Sequence, residues 1–137
     1  NADAVQSLKL LKSNIDYGVF HVVQEAGIAA LRENMKNIRK HSSLYEKRRD
    51  AFVDTLHTYG WPVAKPKATM FVWAPIPEGY TSRQISREML QETGVVVIPG
   101  DAFGEAGEGY VRIALVEPTD KLQEAAKRIG QFISKLI

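Results

Sequence analysis

The chain of 137 residues contains no cysteine, which excludes disulfides, thiolate nucleophiles and cysteine-based metal sites and fits a reducing compartment. Histidine is scarce. His21, His41 and His57 stand far apart with no ligand-pair spacing, so metal binding has no positive support. No charge of one sign dominates: 18 Lys and Arg face 16 Asp and Glu, for a formal charge of +2, and the two signs are mixed along the chain. That balance argues against a phosphate-backbone footprint and against a polybasic membrane arm, so neither nucleic acid nor a membrane is an expected partner. No apolar run approaches the length of a bilayer span, and the first residues lack the basic-then-apolar order of an export signal. The expected location is the cytoplasm.

What is present suits one domain of ordinary size with a real hydrophobic core. Asn1 reads as the N-cap of a helix from about Ala2 to Lys12, with Val5, Leu8 and Leu11 on one stripe, broken at "SNIDYG". A second helix, Val19 to Leu31, is rich in small residues (Ala26, Gly27, Ala29, Ala30) and reads as a contact surface. A third, Glu33 to Tyr59, places Met35, Ile38, Ser42, Tyr45, Arg49, Phe52, Leu56 and Tyr59 on one seam, with Gly60 as its stop. The composition then turns β-rich in "WPVA", "TMFVWAPI", "VVVIPG" and "YVRIAL". Between the second and third of these, Thr81 and Gln84 have capping-box spacing, Ile85 and Met89 form a stripe and Gly94 ends the helix. A last helix starts at Thr119 and buries Leu122, Ala126, Ile129, Ile133 and Leu136. This order predicts an α/β, or α+β, layered fold: a short sheet of three to four strands packed with helices.

Chemistry-bearing patterns are few. The loop "PGDAFGEAGEG" has neither Walker nor G-x-G-x-x-G spacing and feeds a strand, so it reads as a turn-forming loop. The basic cluster Lys47, Arg48 and Arg49 alternates with Glu46 and Asp50, as a solvated helix face does. His57 reads as a surface residue near a helix end, and no nucleophile, base and carboxylate can be assembled. No lysine lies in an apolar strand-to-loop context that would desolvate its amine. One residue stands out. In "GEGYVRIALVEP", Val111, Ile113 and Leu115 share one strand face, and Tyr110, Arg112, Ala114 and Val116 the other. Arg112 therefore needs either water or an anion, and a half-exposed strand and a carboxylate-binding arginine are both open on pattern alone.

Taken together, "SNIDYGVFHVVQEAGIAAL", "YEKRRDAFVDTLHTYGWPV", "KPKATMFVWAPIPEGY" and "GVVVIPGDAFGEAGEGYVRIAL" resemble the C-terminal part of a class I/II aminotransferase of fold type I, on the branch of the aspartate and LL-diaminopimelate enzymes. The resemblance covers nearly the whole chain. It implies pyridoxal 5′-phosphate as cofactor, an amino acid and a 2-oxo acid as substrates, and a homodimer. It also implies a division into residues 1–32, belonging to the end of the large domain and the interdomain connection, and residues 33–137, the small C-terminal domain. The family's cofactor lysine sits in a motif resembling S-K-x-F-x-x-x-G-x-R-x-G, which this sequence lacks. The expectation is a fragment lying downstream of that lysine, with no catalytic residue of its own and no activity or bound cofactor by itself. Arg112 matches the family arginine that grips the substrate α-carboxylate. Met70 and Phe71 match a segment that lines the pocket, apolar packing being the other role open to them. Tyr17 and His21 match a segment that approaches the partner subunit's site, His21 standing where several relatives carry Asn. The alternative is a free-standing, non-catalytic module that binds an amino-acid carboxylate or mediates dimerisation. An upstream region of roughly two hundred residues carrying the lysine motif separates the two.

Overall fold

A computed structural model describes residues 1–16, 18–33 and 36–137, without the side chain of Lys36. The chain divides into two compact units, Asn1–Asn37 and Ile38–Ile137. In the first, helix α1 (Ala2–Ile15) opens on Asn1, whose side chain accepts from the backbone N–H groups of Asp3 and Ala4. It runs past the expected break at Ser13 and Asn14, because both side chains bond back to the Leu10 carbonyl, at 2.7 and 2.9 Å, and leave the helix ladder in place. Helix α2 (His21–Arg32) follows, and neither helix buries a residue. Met35, expected to start the seam of the next helix, lies outside the described residues.

The second unit holds the core. After α3 (Lys36–Thr58) come β1 (Phe71–Pro75), α4 (Ser82–Thr93), β2 (Ile98–Pro99), two single 3-10 turns (Gly100–Phe103 and Glu105–Gly107), β3 (Tyr110–Ala114) and α5 (Thr119–Ile133). The strands form one antiparallel sheet in the order β1-β3-β2. The expected small sheet packed with helices is thus the fold observed, with three strands. Strand alternation sets its two faces. Val72, Ala74, Val111 and Ile113 are buried against Phe52, Val53 and Leu56 of α3, Ile85 and Met89 of α4, and Ile129 and Ile133 of α5. Helix α4 has the punctuation read from the sequence: Thr81 and Gln84 form a reciprocal capping box, and Gly94 closes the helix in the left-handed region at φ 71°. No helix among the described residues is long and apolar enough to cross a membrane.

Two expectations fail here, each for a physical reason. "WPVA" is not a strand. Pro62 has no N–H to give a ladder, the Val63 N–H closes a tight turn onto the Trp61 carbonyl at 2.9 Å, and the Trp61 indole donates to the Pro75 carbonyl at 2.8 Å. The segment is a coil that buries Trp61 and Val63 and leaves Pro62 and Ala64 exposed. "VVVIPG" contributes only Ile98 and Pro99 to the sheet.

In the basic run on α3, Lys47 is exposed as expected, but Arg48 and Arg49 are half-buried. Arg48 donates to the carbonyls of Leu115 and Val116, at 3.2 and 3.1 Å, and so ties α3 to the end of β3. Arg49 donates to the Pro66 carbonyl at 3.1 Å and pairs with Asp50 at 2.8 Å. Both guanidiniums bridge α3 to backbone carbonyls elsewhere in the fold. His57 is exposed near the end of α3, as read, but its Nε2 donates to the Val63 carbonyl at 2.7 Å.

Candidate functional site

The sheet face turned away from the helices carries the site. Because β3 alternates, burying Val111 and Ile113 puts Tyr110 and Arg112 on the opposite side. Antiparallel register then sets Arg112 opposite Trp73 of β1 and opposite Ile98 of β2. Period 2 along β1 turns Phe71 and Trp73 to the same side. The result is an aromatic surface around one cation. The Arg112 Cζ lies over the Phe71 ring and over the Phe103 ring, 4.3 Å from each centroid. Trp73 meets the Phe103 ring edge-on at 5.9 Å and stacks on Tyr110 at 5.6 Å.

Arg112 is half-buried, and no carboxylate among the described residues lies within ion-pair distance of it. Both rings lie within cation–π distance of the guanidinium carbon. The N–H donors of a guanidinium lie in its own plane and are the part suited to a planar anion with two oxygens.

The loop from β2 to β3 is fixed at both ends. Gly100 and Gly107 bring their backbones into direct contact, which no Cβ would allow. Asp101 pairs with Arg83 of α4. Glu108 accepts from the Ser82 backbone N–H at 2.7 Å, the Ser82 hydroxyl at 2.8 Å and the Gly109 N–H at 3.1 Å. The Ser82 N–H, then its hydroxyl, hold the Glu108 carboxyl below the ordinary glutamate range, at the N-terminal end of α4. A carboxyl depressed by folding contributes stability that is complete above the ordinary glutamate range and is lost as pH falls towards the depressed value. Glu108→Gln should therefore lower Tm near about pH 7, and the gap to wild type should narrow as pH falls below the ordinary glutamate range to about pH 3. A gap of the same size at both pH values would show that the Glu108 charge contributes nothing.

Of the other residues singled out in the sequence, Phe71 meets Arg112 directly. Met70, one residue earlier, lines an open groove of about 700 Å³ together with His41, Tyr45, Glu46, Arg49 and Lys67. His21 opens α2 in the first unit and is exposed. Tyr17 lies outside the described residues. Sequence reasoning missed Trp73 and Phe103, and it placed Tyr110 on the Arg112 face without giving it a role. Period 2 on β1 could have found Trp73, whereas Phe103 sits in a glycine-rich loop with no periodic signal.

The family described as aminotransferase class I and II matches residues 1–129. The LL-diaminopimelate aminotransferase of Maridesulfovibrio salexigens is 47% identical over 132 residues, covering 96% of this chain and 34% of that enzyme. An aminotransferase structure from Staphylococcus aureus superposes with a TM-score of 0.88 at 35% identity, covering 98% of this chain and 35% of that one. An aromatic aminotransferase structure from Pyrococcus horikoshii gives a TM-score of 0.76 at 37% identity, over 84% of this chain and 32% of that one. The chain spans about a third of the length of the curated relatives it matches.

Proposed function

Because this chain belongs to the aminotransferase class I and II family, we propose that it forms the C-terminal region of an enzyme moving an amino group between an amino acid and a 2-oxo acid, with Arg112 holding the substrate α-carboxylate. Residues 33–137 would be the small domain, and residues 1–32 the end of the large domain. The observation that carries this reading is the Arg112 guanidinium, held over two phenyl rings with no carboxylate of the described residues to pair with. A fork of donors meeting two carboxylate oxygens fixes the orientation of the amino acid about its Cα, and orientation is a large part of what such a site must supply. The α-carboxylate is common to LL-diaminopimelate and to the aromatic amino acids, after which the relatives are named. An arginine for that group therefore serves the reaction class rather than one side chain.

The residues present do not build a pyridoxal 5′-phosphate site. The groups that the described structure brings to Arg112 are Phe71, Phe103 and the strand neighbours, none of them an amine. Lys65 is bound to Asp54 at 2.7 Å and to Asp50 at 3.4 Å, and Asp54 above all raises its pKa. A cofactor-bonding amine needs the opposite shift. In this proposal the cofactor and its lysine belong to the rest of a longer polypeptide that works as a homodimer, with Tyr17 and His21 approaching the partner subunit's site. Joined to a large domain of this family, the chain should support amino transfer from α-amino acids to 2-oxo acids with the parallel-line kinetics of a two-stage reaction. A folded, cofactor-loaded assembly that transfers no amino group from any donor in a broad screen would overturn it.

A further inference from the structure

Arg112 is a long, flexible side chain, and its end is fixed by no ion pair among the described residues. Two aromatic faces meet it instead, and they have different origins. Phe71 comes from β1, within the sheet, and its place follows from strand register. Phe103 comes from the β2–β3 loop, where no ladder hydrogen bond holds it. Its position depends on the devices that pin that loop: the Gly100–Gly107 backbone contact, the Asp101–Arg83 pair, the Glu108 bonds to Ser82, and Trp73, whose ring it meets edge-on.

Phe103 is nonetheless 51% exposed, so burial of apolar area does not account for its placement as it would for a core residue. A phenyl ring over a guanidinium attracts the cation electrostatically and restricts rotation about the last bonds of the arginine, while leaving the in-plane N–H groups uncovered.

We infer that Phe103 is a positioning residue: the β2–β3 loop delivers its ring onto Arg112 so that, with Phe71, it holds the guanidinium plane ready for the carboxylate. This rests on the reading of Arg112 given above. It makes the loop a specificity element that acts through the arginine, and it gives a role to the pinning of the loop at both ends. With the arginine already oriented, less conformational entropy is lost when the carboxylate arrives.

The test uses the cofactor-loaded, full-length enzyme carrying this chain, with Phe103→Leu, which keeps apolar bulk and loses the ring, and Phe103→Tyr, which restores the ring. Binding of 3-phenylpropionate, an unreactive carboxylate, is measured by calorimetry, and kcat/KM is measured for an α-amino acid and for the matching amine without the carboxylate. Phe103→Leu should weaken 3-phenylpropionate binding and lower kcat/KM for the amino acid by about 3- to 30-fold, the range of a partly desolvated cation–π contact. The amine should change less than about twofold, and Phe103→Tyr should restore both losses.

Equal losses for amino acid and amine, no loss with leucine, or no rescue by tyrosine would each overturn the inference. Arg112→Ala separates it from the reading beneath. If that variant loses amino acid and amine alike, the carboxylate role of Arg112 fails. If it is selective while Phe103→Leu is silent, only the positioning role fails.

Discussion

Replacing Arg112 by alanine in the full-length enzyme should lower kcat/KM for α-amino acids by about 2 to 5 kcal/mol in transition-state terms, a far larger loss than any other single change on this sheet face. The size follows from what is left behind. The substrate carboxylate would lose the cation that offsets its desolvation, and a charge left unpaired costs more than the bond itself was worth. Arg112→Lys keeps the charge but replaces a planar fork by a point donor, so it should recover only part of the loss. Lysine also gives the Phe71 and Phe103 rings no planar group to stack on, although both rings lie 4.3 Å from the native guanidinium carbon. The discriminating measurement is the comparison with amines lacking the α-carboxylate, which gain nothing from Arg112 and should be nearly indifferent to both variants. If amino acids and amines lose rate in parallel, in a variant that folds and holds cofactor, the arginine is structural.

How much of this could be read beforehand depends on how local the deciding contacts are. The capping box of Thr81 and Gln84 and the stop at Gly94 span one helix and were legible residue by residue. The two faces of β3 were legible from alternation alone, and with them the anomaly of Arg112 on the exposed side. Arg48 was misread because its acceptors, the carbonyls of Leu115 and Val116, lie 67 and 68 residues away in sequence. No window on α3 contains them. "WPVA" was misread because its β-like composition reflects burial of Trp61 and Val63, which a coil achieves as well as a strand once Pro62 has removed a donor. Phe103 combines both difficulties: its loop has no period, and its partner is fixed by a register that only the folded sheet defines. Pattern alone leaves a carboxylate as one of two readings of Arg112, family likeness favours it, and the geometry adds the aromatic setting that neither supplies.

The second large effect is expected at Gly100, where the loop crosses itself. A Cβ there would run into the Gly107 carbonyl and lie 2.7 Å from the Tyr110 carbonyl oxygen, and both obstacles are backbone. A flexible side chain could swing aside, but these atoms could move only if the loop or the first pair of β3 came apart. Tyr110 is paired with Pro75 in the sheet, so yielding there breaks strand register at the residue from which Arg112 is aimed. Gly100→Ala should therefore destabilise the fold by about 3 kcal/mol or more, at the upper end of what overpacking a tight site costs. Gly104, in the same loop, makes the informative control. Its φ of 113° strains any L-residue, yet a Cβ there would meet nothing within 4 Å, so Gly104→Ala should cost only the backbone strain, about 1 to 3 kcal/mol. Urea unfolding of the two variants beside wild type measures both. A Gly100→Ala midpoint close to wild type, or a Gly104→Ala loss that exceeds it, would mean that the close backbone approach does not hold the loop, and the placement of Phe103 over Arg112 would then need another support.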